Sequence, residues 1–296
     1  MSSLLRPAWR APHARDPAAL AAAFVLLAGI VAAVLAPAPR PADAADIDLA
    51  ASLLSPGNAD ANGQVHWFGT DDQGRDLVAI TLAGLRTSLL VGGLATATAA
   101  LGGGAVGLVA GYRGGIIGAV LMRLADVQAT FPALLVALLA GGAARAALPD
   151  AMQGAHSLPV LVAAIGLSRW PQFGRLIRAS VLTERARPYV LSAQISGVTA
   201  RRIMIAHILP NIAGPPSVLA ALTVGGAIMD EAALSFMGLG VPADAPSLGT
   251  LVRVGSRFMF SGAVWMVLVP GAFLMAVVVS VNLVGGWARQ VSGPRR

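Results

Sequence analysis

Lysine and cysteine are absent from this chain of 296 residues: all 21 basic residues are arginine. Without lysine there is no P-loop, whose lysine must reach the β- and γ-phosphates of a nucleotide, and no Schiff-base chemistry. Without cysteine there are no disulfides, thiolate metal sites or cysteine nucleophiles. Charge is scarce as well, at 12% of residues, where a soluble domain carries about 25%. The four histidines, His13, His66, His156 and His207, are scattered, with no His or Glu at metal-ligand spacing.

What is abundant is apolar sequence: 56% of residues are hydrophobic and the mean hydropathy is +0.73. Several runs approach the ~20 residues that a helix needs to cross a bilayer. Lipid satisfies no backbone polar group, so the expected fold is an all-α polytopic membrane bundle. The runs lack the alternation of a β-barrel. Six spans are expected, at 18–36, 87–111, 124–144, a short run from 158 to 168, about 209–234, and 264–284. A signal peptide is the rival for the first, given the cleavage-like Ala42-Asp43-Ala44, but 19 apolar residues exceed the usual signal core of about 7–15.

Six spans put both termini on one side. With the N-terminus in the cytosol, fifteen of the 21 arginines fall inside and most acids outside, satisfying the positive-inside rule. The net charge of +7 therefore reports topology and not nucleic-acid binding. The expected organisation is a cytosolic N-terminus and first helix (1–41), an external loop with an interfacial helix (42–86), a core (87–288) containing a cytosolic loop at about 169–208, and a tail (289–296). Within the spans, Gly103, Gly107 and Gly111 recur every four residues, the spacing for close helix packing. Asp126 is expected to pair with Arg123. Asp230 and Glu231, near the outer end of the fifth span, suit either a pathway or an interface. The glycines of 235–240 (Ser235, Phe236, Gly238 and Gly240 among its residues) would bend the chain as a gate or re-entrant turn.

The stretch RPYVLSAQISGVTARRIMIAHILPN, 187–211, differs from its greasy surroundings. Pro188 suits a helix start, and Val190, Leu191, Gln194, Ile195 and Val198 follow helical spacing. Gly197 allows a sharp turn, Thr199 can cap a second short helix carrying Arg201 and Arg202, Pro210 ends it, and Asn211 can cap the next span. Such a helix–glycine–helix elbow fits a groove on another protein or anionic lipid headgroups. In the external loop, Asn62-Gly63 signals a turn, Trp67 and Phe68 suit a membrane interface, and Thr70 or Asp71 can cap the run from 73 to 85. Its acids lack the spacing of a calcium loop.

These segments resemble the inner-membrane permeases of bacterial ABC importers. That family's cytoplasmic loop reads EAA, three residues, Gly, nine residues, then I-x-L-P. Here Gly197 precedes Leu209-Pro210 at that spacing, with Leu191-Ser192-Ala193 in place of EAA and His207 in place of Ile. HWFGTDDQGRD (66–76) and EAALSFMGLGV (231–241) are similar to motifs of the dipeptide/oligopeptide/nickel branch. The resemblance spans roughly 66–285 and implies a type I permease fold without its own ATPase site. It also implies a second permease subunit, two cytosolic ATPases that hold the ATP and magnesium, and an extracytoplasmic solute-binding protein. Tyr189, Ala193, Gly197, Thr199, Arg201, Arg202, Leu209 and Pro210 would form the ATPase-docking loop. His66, Gly69, Thr70, Asp71, Gly74, Arg75 and Asp76 form the external motif. The implied cargo is short peptides, with nickel or another small solute as the alternative. A secondary transporter would instead show an inverted repeat and charges at mid-membrane; a scaffold that moves nothing is a third class.

Overall fold

The computed structural model describes residues 17–35, 48–147, 150–241 and 245–292. Arg6, Arg10, Arg15, Asp43, Asp46, the Ala42–Ala44 stretch, Arg295 and Arg296 lie outside them. Helices dominate: α1 (Pro17–Leu35), α2 (Leu77–Arg113), α3 (Gly115–Ala129), α4 (Ala133–Ala147), α5 (Asp150–Arg185), α6 (Pro188–Ile195), α7 (Ala200–Arg202), α8 (Gly214–Phe236), α9 (Leu248–Phe258) and α10 (Trp265–Ser292). Three of these, α2, α8 and α10 (to Arg289), are long and apolar enough to cross a bilayer. The α3–α4 pair makes a fourth if its 96° bend is counted as one broken span. The expected third span is thus two helices. Pro132, at their junction, lacks the N–H that would continue the helical ladder.

The expected interfacial helix before residue 87 is also revised: it is the start of α2, a single helix of 37 residues. Leu77, Ile80 and Leu85 are buried against α8, α9 and α10. The N-cap is Asp76, which accepts from the backbone N–H groups of Val78 and Ala79 at 3.0 Å. Thr70 and Asp71 are used elsewhere.

α2 is the central post, and α5 runs parallel along it. A Cβ on Gly103 would meet the Trp170 carbonyl, one on Gly107 the Gly174 carbonyl at 2.5 Å, and one on Gly111 the Val181 Cβ at 2.7 Å. The four-residue glycine stripe is therefore the seam of this pair. Pro171 lies inside α5 and cannot donate to the Leu167 carbonyl; Gln128 Nε2 from α3 donates to it instead. Trp170 Nε1 holds Gln128 Oε1 at 2.7 Å. One apolar core joins Val91 and Ala95 of α2 to Ala137 of α4, Ile165 of α5 and Ala227 and Leu234 of α8. A second joins Leu85, Ile228 and Leu248 to Val277 and Val281 of α10.

α5 continues as helix through Arg185, so Arg169, Arg175 and Arg178 are helical residues and not part of a cytosolic loop beginning at 169. Arg175 takes Asp126 at 3.7 Å, replacing the expected Arg123 pair; both partners are half exposed, so the contact is weak.

Candidate functional site

At one end of the bundle, α6 and α7 form the expected elbow. Gly197 between them has φ +74° with open space around it, the left-handed backbone that glycine adopts without strain. α7 passes directly into a π-helical turn, Ile203–Ile208. Val190, Ile203, Ile208 and Ile212 are buried with Ile177 and Val181 of α5, and Ala193 and Val198 pack partly against them. The elbow is thus clamped to the ends of α2 and α5 by one face only. Leu191, Ile195 and Ile205 point away from the bundle, Ile195 being 88% exposed. That splits the apolar series read from the sequence, in which Leu191 and Ile195 shared the face of Val190. Arg201, Arg202 and Thr199 are exposed beside them.

Two expected caps are absent. Thr199 sits at the N-cap of α7 without a side-chain hydrogen bond. Asn211 caps nothing: its Nδ2 donates to the His207 carbonyl at 2.6 Å and to Tyr189 Oη at 3.0 Å. Tyr189 Oη in turn donates to Glu184 Oε1 at 2.7 Å, so Glu184, outside the recognised motif, anchors the elbow. Partial burial, aided by the Glu184 carboxylate, pushes the Tyr189 phenol above its ordinary value. Leu209 and Pro210 follow as exposed turn residues leading to α8.

At the other end, residues 48–76 fold as a cap. A short hairpin pairs Asn58 with His66, and its turn holds Gly63 at φ +81° with Asp60 accepting from Asn62 and Gln64. The Gln64 N–H is the main cause holding the Asp60 carboxyl below its usual range. The 66–76 motif is structural cross-bracing. His66 Nδ1 meets Asp76 Oδ2 at 2.9 Å, Thr70 Oγ1 donates to the Ala51 carbonyl at 2.6 Å, and Arg75 reaches Asp71 at 2.6 Å. Gly69 (φ +80°) lies against the Leu54 carbonyl and Trp265, and Gly74 (φ +79°) against the Asp48 carbonyl. Trp265 Nε1 donates to the Thr70 carbonyl at 3.2 Å, tying the cap to α10. Trp67 and Phe68 remain exposed. Burial, reinforced by neighbouring Asp71, raises the Asp72 carboxyl. Among the described residues, no cluster of three His, Asp or Glu side chains could hold a metal.

The 231–241 stretch ends α8 and turns back into α9. Glu231, 0% exposed, accepts from Ser88 Oγ of α2 at 2.7 Å and from Ser235 Oγ at 2.6 Å. Gly238 has φ +86°, Gly240 packs on Ser235, and Phe236 is exposed. α9 begins with a Ser247/Thr250 capping box and lies back on α8 and α10, with Gly249 against Ala232 and Gly255 against Met266. The predicted bend is present, and its interior is the Glu231 network. Asp230, next to it, faces α5 and pairs with Arg169 at 2.7 Å. Sequence reading missed Arg169, because a short apolar run before it implied a span end. Ser88 gave no signal, since a lone serine in an apolar helix is uninformative.

A polytopic helical bundle with a cap at one end and an elbow at the other defines the class: a membrane translocation subunit. The chain belongs to the family of binding-protein-dependent transport system inner membrane components, whose family model matches residues 103–295. It is 38% identical to the dipeptide transport system permease protein DppC of Alkalihalophilus pseudofirmus, over 78% of this chain and 72% of the relative. It is 33% identical to the di/tripeptide transport system permease protein DppC of Pseudomonas aeruginosa, over 99% and 93%. The oligopeptide transport system permease protein OppC of Bacillus subtilis is 34% identical over 78% and 72%.

Proposed function

We propose that this chain is one permease subunit of an ATP-driven importer that moves short peptides across the cytoplasmic membrane. It would pair with a second permease of similar fold, and two cytosolic ATPases and an external binding protein would complete the machine. Similarity to relatives named for dipeptide, di/tripeptide and oligopeptide transport favours peptides over nickel. The observation that carries the mechanism is the elbow, fixed to α2 and α5 on one face and presenting Leu191, Ile195 and Ile205 on the other. An ATPase gripping that outer face would pull on the ends of the two longest helices, so hydrolysis on a partner becomes tilting of the bundle. The chain itself supplies no ATP or magnesium site in this scheme.

Charge supports an orientation with the elbow in the cytosol. Arg113, Arg185, Arg187, Arg201 and Arg202 cluster at the elbow end, while Asp48, Asp60, Asp71, Asp72 and Asp76 lie in the cap, the asymmetry expected of a cytosolic elbow. Uptake of labelled dialanine and of nickel by cells with and without this chain tests the reading. Dialanine uptake that depends on the chain and on ATP supports it; chain-dependent uptake of nickel alone overturns it.

A further inference from the structure

The Arg169–Asp230 pair sits at an unusual depth. Arg169 is sixteen residues before the end of α5 at Arg185, and Asp230 is sixteen residues after the start of α8 at Gly214. At 1.5 Å per residue both lie about 24 Å from the elbow end. Asp230 is also six residues, about 9 Å, below the outer end of α8. The pair therefore lies well within the length of α8, a helix long and apolar enough to cross a bilayer. It is not sealed: the two side chains are 15% and 14% exposed. Ionised groups that open to lipid at this depth are costly, so the exposed edge faces a water-lined cavity or the partner permease.

The pairing is also incomplete. Arg169 Nε (2.8 Å) and Nη2 (2.7 Å) both end on one oxygen, Asp230 Oδ2. Asp230 Oδ1 and Arg169 Nη1 take no protein partner among the described residues. The guanidinium lies flat over Gly226, where a Cβ would come within 2.8 Å of Nη1 and Nη2, so a glycine makes room for it. One charged acceptor and one charged donor thus stand side by side, held by each other and open at one edge. A free peptide carries one ammonium and one carboxylate.

We propose that Arg169 and Asp230 form a subsite for the charged termini of a peptide in transit: Asp230 Oδ1 takes the ammonium and Arg169 Nη1 the carboxylate. This rests on the peptide reading above. Because the two charges neutralise each other when the site is empty, the resting pair presents no net charge to simple ions. A zwitterion adds two charge-assisted contacts while the pair through Oδ2 stays in place, which suits brief occupancy during transport.

The test uses the complete transporter in proteoliposomes, with labelled dialanine delivered by excess binding protein. The double variant Arg169→Gln with Asp230→Asn keeps a hydrogen bond between α5 and α8 but carries no charge. Expected are normal assembly, ATPase activity still stimulated by loaded binding protein, and dialanine accumulation lowered about tenfold or more, as two charge-assisted contacts are lost. Transport at the native rate by this variant, or loss of transport in step with loss of assembly, assigns the pair to helix packing and overturns the subsite alone. Failure of the native transporter to accumulate dialanine overturns the peptide reading as well.

Discussion

Ser88 on α2 donates a 2.7 Å hydrogen bond to Glu231 on α8, and its Oγ also accepts from the backbone N–H of Leu248 at 3.3 Å. A single serine thereby ties the central post to both arms of the α8–α9 bend. Glu231 takes its second bond from Ser235, whose hydroxyl also receives the Val241 N–H at 3.4 Å. Motion of the bend must carry α2, α8 and α9 together or break this network.

Glu231→Leu should therefore lower stability by about 2 kcal/mol, because it strands two buried hydroxyls. Glu231→Gln, which keeps one acceptor, should cost about half of that. Thermal unfolding of the purified complex in detergent measures both. Equal stability of all three proteins would contradict the bracing role.

Gly103→Leu should prevent the close approach of α2 and α5, since even a Cβ there meets the Trp170 carbonyl. Overpacking of this kind costs about 1–3 kcal/mol, read as lost yield of folded protein. Gly102→Leu, with nothing within 4 Å, should be tolerated.

The glycine seam and the elbow were legible in the sequence because each depends on a backbone need that only glycine meets, at Gly103 through close approach and at Gly197 through positive φ. The break at Pro132 and the reach of α5 were not. Both depend on partners distant in sequence: Gln128 repairs the Pro171 gap, and Asp230 neutralises Arg169 inside the bundle. A span count from hydropathy assumes that arginine marks an end, and a buried carboxylate removes that assumption. The external motif was recognised as a pattern, but its bracing function, with His66 on Asp76 and Trp265 on Thr70, needed the fold.

Gly197→Val should leave membrane insertion intact and sharply reduce ATPase association, since a β-branched residue resists φ near +74°. Co-purification of ATPase subunits with the tagged variant reads the effect. Native levels of ATPase would count against a role for the turn.

The 48–76 cap should respond to pH through Asp72. Its carboxyl is raised by burial first and Asp71 second, so the folded cap disfavours its charge. The penalty is absent below the unfolded value, near 3.9, and grows as pH rises through the folded value. Asp72→Asn should therefore stabilise the cap at neutral pH, and the gain should shrink as the medium is acidified. Asp60, lowered chiefly by the Gln64 N–H, works in the opposite sense and is lost as pH falls through its folded value. Hydrogen exchange across 48–76 as a function of pH separates the two.

The cysteine-free sequence permits a direct test of where force enters. Ile195→Cys places one thiol on the outward face of α6, at the most exposed large hydrophobic side chain of the elbow. A short bifunctional cross-linker applied to inside-out vesicles of the assembled transporter should join that thiol to an ATPase subunit, and a membrane-impermeant maleimide should label it only from the cytosolic side. Labelling of intact cells from outside, or transport that continues with no ATPase within reach of residue 195, would contradict the account.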